Sequence, residues 1–134
     1  MPKNDNPQSS TAAAAPPSRC DEGGDEIRAA VVPVATGDEV RLRVVLCQSA
    51  FRVTADLDGA VIADQTNPPN DELNVLLGPL SPGIHQLHWS YLSPGPSWKT
   101  RNEVLVNGIA AFRLRKSSDG NRPFNHLGVT LLVR

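Results

Sequence analysis

The chain has 134 residues, a formal net charge of −1, 40% hydrophobic residues and two cysteines. This length predicts a single domain. No apolar run approaches the roughly 18–20 residues that cross a bilayer, so we expect no membrane span. We also do not expect nucleic acid as a ligand, because that function needs a basic domain with interleaved aromatic residues.

The N-terminal region differs in composition from the remainder. Residues 1–26 contain no Ile, Leu, Val, Phe, Trp or Tyr, and residues 21–26 form an acidic run. Such a segment cannot offset the ~1–2 kcal/mol per residue that backbone ordering costs. We therefore predict a disordered acidic tail over residues 1–26 and one folded domain over residues 27–134. Because one of the two cysteines lies in this tail, we expect no disulfide framework.

The N-terminus also bears on localisation. It lacks the ~7–15-residue apolar stretch of a signal peptide. This predicts a cytoplasmic protein, or one exported without a Sec signal by a dedicated secretion system.

Apolar and polar residues alternate with a period of two through much of residues 27–134, which is typical of half-buried strands. In the clearest case Val40, Leu42, Val44 and Leu46 fall on one face. Similar patterns predict strands at residues 27–35, 39–48, 51–57, 72–77, 84–92, 103–106, 109–116 and 127–134.

Two dipeptides predict tight hairpin turns with positive φ angles, Asp58-Gly59 and Asn107-Gly108. The first turn would pair Leu57 with Ala60 and add a further strand. With Gly and Pro clusters between the segments, about eight or nine short strands result. We predict an all-β fold, an immunoglobulin-like antiparallel β-sandwich, with a jelly roll as the alternative.

The segment 80–89, with Pro82 and Gly83 ahead of alternating apolar residues, resembles strand openings in immunoglobulin-like and fibronectin-type modules. Many unrelated sandwiches share this pattern. The resemblance therefore supports the fold and implies no function.

The second hairpin shows apolar residues on both faces near its turn. Either a bulge shifts its register, or a partner covers one face. Charge is also polarised: residues 1–98 carry six basic and twelve acidic side chains, whereas residues 99–134 carry seven basic and two acidic ones. We therefore predict a protein-interaction or assembly module that self-associates or binds a protein partner. The proposed interaction residues are Val104, Val106, Ile109, Arg113 and Arg115.

A second hypothesis is a lectin-like, carbohydrate-binding sandwich. It places Trp98 in a loop at the rim of the domain, where an exposed indole could stack on a sugar ring. The accompanying ligand-binding residues would be Lys99, Arg101, Asn102, His88 and Gln86. This hypothesis requires an exposed Trp98.

The remaining motifs do not predict catalysis. His85 and His88 are three apart, and in a strand they would point to opposite faces, so they cannot bind one metal ion together. The sequence holds no nucleophile elbow, P-loop or zinc-type cysteine pair. We expect no enzyme activity, no metal and no cofactor; a hydrolase is the third and weakest hypothesis.

Overall fold

The computed structural model describes residues 19–47, 52–93, 98–118 and 124–134. Nine strands occupy most of these residues: β1 (Val31–Val34), β2 (Val40–Cys47), β3 (Arg52–Leu57), β4 (Ala60–Thr66), β5 (Glu72–Leu76), β6 (Gly83–Leu92), β7 (Trp98–Val106), β8 (Ile109–Ser118) and β9 (Phe124–Val133). Within the described ranges, the helical elements are two short 3-10 turns, Arg19–Asp21 and Pro69–Asp71. The prediction of an all-β domain with eight or nine strands is confirmed.

The strands form two sheets that pack face to face as a sandwich. The five-stranded sheet has the order β1-β9-β6-β3-β4, and the four-stranded sheet has the order β5-β2-β7-β8. Neighbouring strands are antiparallel except for β1 and β9, which run parallel. Strand β8 is thus an edge of one sheet and β1 an edge of the other.

Alternating side chains from both sheets fill the core. Leu42 and Val44 of β2 face Leu87 and Trp89 of β6, and all four are buried. Burying each large apolar side chain contributes about 1.5–3 kcal/mol, so this layer is the main source of stability. The shared face predicted for Val40, Leu42, Val44 and Leu46 is confirmed, and it points into the core.

A polar network crosses the core and joins the two sheets. The indole Nε1 of Trp89 donates to Oδ1 of Asn102 at 2.9 Å, and the amide of Asn102 donates to the backbone oxygen of Leu114 at 3.1 Å. The Thr100 hydroxyl bonds the hydroxyl of Tyr91 at 3.0 Å. Burial raises the pKa of the Tyr91 hydroxyl to about 12, although its interactions with Thr100 and Asn102 act to lower it. These bonds satisfy polar atoms that would otherwise destabilise the core.

Both predicted hairpin turns are present. Asp58 and Gly59 have φ angles of 53° and 85°, and Asn107 and Gly108 have φ angles of 52° and 81°. The first turn pairs Leu57 with Ala60 as predicted, but a bulge then shifts the register, so Ala55 pairs with Ala63 rather than with Ile62.

The predicted tail needs correction in its last part. The expectation of disorder over residues 1–18 lies outside the described residues. Residues 19–26, by contrast, lie against the four-stranded sheet, and Cys20 is fully buried. Among the described residues, no helix has the length and apolar character needed to cross a membrane.

Candidate functional site

The outer surface of the four-stranded sheet carries a group of arginines. Period-two alternation places them there, because Leu42, Val44 and Val104 point into the core and the residues between them point outward. We call this group the arginine face; its members are Arg43, Arg101, Arg113 and Arg115. Strand pairing aligns Arg43, Glu103 and Arg113 in one row, with Arg101 beside Arg115 in the next.

Glu103 is the carboxylate at the centre of the arginine face. It is 3% exposed and accepts hydrogen bonds from Arg113 at 2.8 Å and Arg43 at 3.2 Å. The Nε of Arg101 lies 3.7 Å from the same carboxylate. The buried Glu103 thus faces three guanidinium groups, and Arg43 also pairs with Glu72 at 2.9 Å. Counting Arg115, the four arginines meet two carboxylates of the sheet, which leaves an excess of positive charge on this surface.

Arg101 is the most enclosed member of the arginine face. Burial lowers the pKa of its guanidinium; Glu103 opposes this effect, whereas the charge of Arg43 and that of Arg115 reinforce it. Its Nε atom is buried and has no hydrogen-bond partner among the described residues. Keeping the buried guanidinium of Arg101 charged therefore costs free energy, and oxygen atoms that accept hydrogen bonds above the arginine face offset this cost.

Residues 19–27 cross the arginine face, and we call them the strap. Arg115 makes most of the contacts: it donates to the backbone oxygens of Cys20 at 2.9 Å, Glu22 at 2.7 Å and Gly24 at 2.6 Å. Arg101 donates to the backbone oxygen of Arg19 at 2.7 Å. In addition, Arg113 reaches the backbone oxygen of residue 25 at 3.0 Å. The arginines therefore bind mainly the backbone of the strap, and little of this recognition depends on side-chain identity.

Acidic side chains of the strap add complementary charge. Asp21 pairs with Lys99 at 3.0 Å, and Glu26 accepts a 2.8 Å hydrogen bond from the backbone N–H of Arg115. That hydrogen bond holds the pKa of Glu26 below its usual value, although burial acts in the opposite direction. The acidic N-terminal part of the chain and its basic C-terminal part therefore meet within one molecule here.

Glycines allow the strap to lie close to the guanidinium groups. Gly23 and Gly24 have φ angles of 96° and 87°, a region that side-chain-bearing residues rarely adopt. A Cβ atom on Gly23 would lie 3.2 Å from a nitrogen of Arg101 and 3.3 Å from one of Arg113. Larger residues at this position would push the strap off the face.

Both ends of the strap are fastened. Cys20 forms a disulfide with Cys47 of β2, which corrects the expectation of no disulfide. Arg19 pairs with Glu72 of β5 at 2.6 Å. At the other end, Ile27 exchanges backbone hydrogen bonds of 2.9 and 3.1 Å with Arg113. The strap thus runs across the four-stranded sheet from β5 to the edge strand β8.

The structure divides the interaction residues that the sequence proposed. Arg113 and Arg115 hold the strap, whereas Val104 is buried in the core and Val106 is half-buried. Ile109, beside the turn, is 73% exposed. A bulge between β7 and β8 pairs Val104 with Phe112 and Leu105 with Ala110. This bulge accounts for the two apolar faces of the hairpin, so a covering partner is not needed to explain them.

The residues of the carbohydrate hypothesis are not brought together. Trp98 is the first residue of β7 and is 1% exposed, packed edge-on against Tyr91 with ring centroids 5.1 Å apart. This corrects the expected position at the rim. Asn102 is also buried, and Lys99 and Arg101 contact the strap. The remaining two, Gln86 and His88, lie on the outer face of the other sheet.

The histidines of β6 point to opposite faces, as predicted. The inward His85 bonds Asp58 and the backbone oxygen of Ser81, each at 2.7 Å. The outward His88 stacks near His126, with ring centroids 5.3 Å apart. Within the described part of the chain, no three His, Cys, Asp or Glu side chains are grouped to hold a metal ion.

The chain was compared with protein-family models, curated proteins and solved structures, and none of the three comparisons gave a match.

Proposed function

We propose that this chain is a non-enzymatic protein-interaction module that assembles with copies of itself, using the arginine face to bind an acidic segment. One observation carries the proposal. A single side chain, Arg115, donates hydrogen bonds to three backbone oxygens of the strap within 3 Å. The three oxygens come within reach of one guanidinium group because the strap curves around it at Gly23 and Gly24. This supports a surface that binds the backbone of a curved polypeptide segment.

Arginine suits this role because its planar guanidinium group presents several donors in a fixed arrangement. A charge-assisted hydrogen bond to an oxygen is roughly twice as strong as a neutral one. The four arginines of this face outnumber the two carboxylates of the sheet that pair with them, Glu103 and Glu72. The excess positive charge favours an acidic segment over a neutral or basic one. The strap, with Asp21 and Glu26 in contact with the sheet, has this composition.

The end of the hairpin supports a second contact in the same assembly. Ile109 is 73% exposed on the edge strand β8, next to the half-buried Val106 with which it pairs. An exposed edge strand with an apolar side chain is a surface that pairs readily with another chain. This supports the proposed self-association through the hairpin.

Size-exclusion chromatography with light scattering tests the proposal, at low and at high salt. The samples contain a reduced and oxidised glutathione couple, because the Cys20–Cys47 disulfide otherwise holds the strap on the arginine face of its own copy. We expect a mass above that of the monomer which grows with protein concentration and falls as salt screens the arginine face. Ile109→Ser should weaken the association, because the proposed hairpin contact forms only between copies. Ile84→Ser, which removes a similarly exposed apolar side chain from the other sheet, should leave it unchanged. A monomer at every concentration and salt would contradict self-assembly.

Localisation is a separate part of the proposal. Disulfides persist in oxidising compartments and are rare in the cytosol. The Cys20–Cys47 disulfide therefore favours export over retention in the cytoplasm. Alkylating free thiols in intact cells before lysis, followed by mass spectrometry, tests this: unmodified, disulfide-linked Cys20 and Cys47 are expected, and two alkylated cysteines would contradict it.

A further inference from the structure

We propose that the strap exchanges between two copies of the chain, so that Cys20 of one copy forms its disulfide with Cys47 of the other. This inference rests on the proposed function. It specifies that the partner is a second copy of the chain and that thiol–disulfide exchange regulates the assembly. The resulting dimer is reciprocal, since each copy donates a strap and accepts one.

The first support is the nature of the strap contacts. The arginines bind backbone oxygens, and the acidic side chains pair with Lys99 and with the backbone of Arg115. None of these contacts depends on which copy the strap belongs to. The strap of a second copy has the same sequence, so it fits the arginine face with the same hydrogen bonds. A segment of another protein would have to reproduce this set of contacts with a different sequence.

The second support is the connection between the strap and the domain. Ile27 pairs with β8, an edge of the four-stranded sheet, and Val31 begins β1, an edge of the five-stranded sheet. Three residues, 28–30, connect the two edges. The oxygen of Ala30 already accepts a hydrogen bond from Thr130 at 3.0 Å, which leaves residues 28 and 29 as the hinge. Short hinges of this kind favour exchange of a terminal segment between copies.

The third support is the disulfide, which determines whether exchange occurs. While Cys20 and Cys47 are joined within one copy, the strap cannot leave. A small thiolate that attacks the sulfur of Cys47 forms a mixed disulfide there and releases Cys20 as a thiolate. The freed strap of one copy then places its Cys20 thiolate against the mixed disulfide of the other. Attack on the Cys47 sulfur forms the link between copies and expels the small thiolate, so no net oxidation or reduction takes place.

Concentration sets the direction of the exchange. A short tether holds the strap near its own face at an effective concentration in the millimolar range. Exchange is therefore expected at protein concentrations of about 1 mM, and the disulfides between copies then preserve the dimer on dilution.

The test uses the full-length chain with its native cysteines. Equal amounts of ¹⁵N-labelled and unlabelled protein are mixed at about 1 mM, with a reduced and oxidised glutathione couple. The mixture is then alkylated, digested without reduction and analysed by mass spectrometry. We expect disulfide-linked Cys20–Cys47 peptide pairs that contain one labelled and one unlabelled half. About half of the pairs in exchanged dimers should be mixed, the statistical share for random pairing.

Two controls identify the cause. Without glutathione, mixed pairs should be absent, because the disulfides within each copy hold the strap. Arg115→Gln in both proteins should make the mixed pairs appear severalfold faster without changing their final share, because it weakens the strap contacts within a copy and between copies equally; Lys116→Gln should change neither. If every Cys20–Cys47 pair is wholly labelled or wholly unlabelled in the presence of glutathione, the exchange proposal is overturned. A concentration-dependent mass by light scattering with no mixed pairs would overturn the exchange and leave the proposed function standing; a strict monomer would overturn both.

Discussion

Removing the disulfide is the most direct way to measure what the strap contributes to stability. The change is Cys20→Ser with Cys47→Ser. Serine is the suitable substitute because the sulfur of Cys20 lies 3.6 Å from the backbone oxygen of Val45 and 3.5 Å from that of Lys99. A hydroxyl at this buried position can donate to either oxygen, so the substitution removes the link without leaving an unpaired polar group.

The magnitude follows from the length of chain that the disulfide closes. The two cysteines are 27 residues apart. The loop-closure relation for a cross-link of that length gives a loss of about 3.5 kcal/mol in the free energy of unfolding at 25 °C. With a urea dependence of about 1–3 kcal/mol per M, the midpoint of unfolding should fall by about 2 M.

Urea unfolding followed by tryptophan fluorescence measures this change, because both Trp89 and Trp98 are buried in the core. Wild-type protein with a reducing agent is the matched control and should show a similar fall in the midpoint. If the double variant unfolds within about 0.3 M of the oxidised wild type, the reasoning is refuted, since the disulfide would then not constrain the unfolded chain as its loop length requires.

Three further changes test the core, one ion pair and one close contact. Asn102→Ala removes the acceptor of the buried indole N–H, and we expect a loss of about 2–4 kcal/mol in urea unfolding; a loss below 1 kcal/mol would contradict the network. The Asp58 carboxylate raises the pKa of His85, and hydrogen bonds from the backbone of residue 86 and from His85 lower the pKa of Asp58. His85→Gln should therefore lower the free energy of unfolding most between pH 3.8 and 6.5, where Asp58 is ionised and His85 is protonated. The loss should shrink as pH rises through the folded pKa of His85 and as pH falls through the folded pKa of Asp58. A loss that does not change with pH would contradict an ion pair between these two side chains. Gly128→Ala would bring a methyl group 2.5 Å from a ring carbon of His88, so it should destabilise the protein, and adding His88→Ala should relieve most of that effect in a double-mutant cycle.

The sandwich could be predicted because its core leaves a clear pattern in the sequence. Alternation of Val40, Leu42 and Val44 assigns the inner face of β2 whatever its neighbours are. The turn dipeptides mark where strands reverse, and a bulge is one of the two explanations that the apolar faces around Asn107 and Gly108 allow. Hydrophobic burial is periodic along a strand, so one sequence is sufficient to detect it.

The strap could not be predicted in the same way. It is held by a disulfide and by hydrogen bonds from guanidinium groups to backbone oxygens, and neither produces a hydrophobic pattern. Cys20 and Cys47 are joined across 27 residues, and the sequence does not show which cysteines meet in space. A segment without large apolar residues was therefore interpreted as a tail, although tertiary contacts order its last part.

Trp98 was misplaced for a different reason, and here a signal was available. Counting back in steps of two from Val104 gives Asn102, Thr100 and Trp98, all of which are buried. Two polar residues in that series hid the alternation, because their side chains satisfy one another and the indole of Trp89 inside the core. A polar residue at an inward position therefore does not end a strand when partners are within reach.

The disulfide also has a consequence for cleavage of the chain. Residues 20 and 47 are joined covalently, and the exposed turn at Gly37 lies between them. A protease that cuts this turn opens the backbone without separating the two products, which stay together on a non-reducing gel. The nicked protein would keep its strap in place over the arginines, and only a reductant would release the N-terminal fragment.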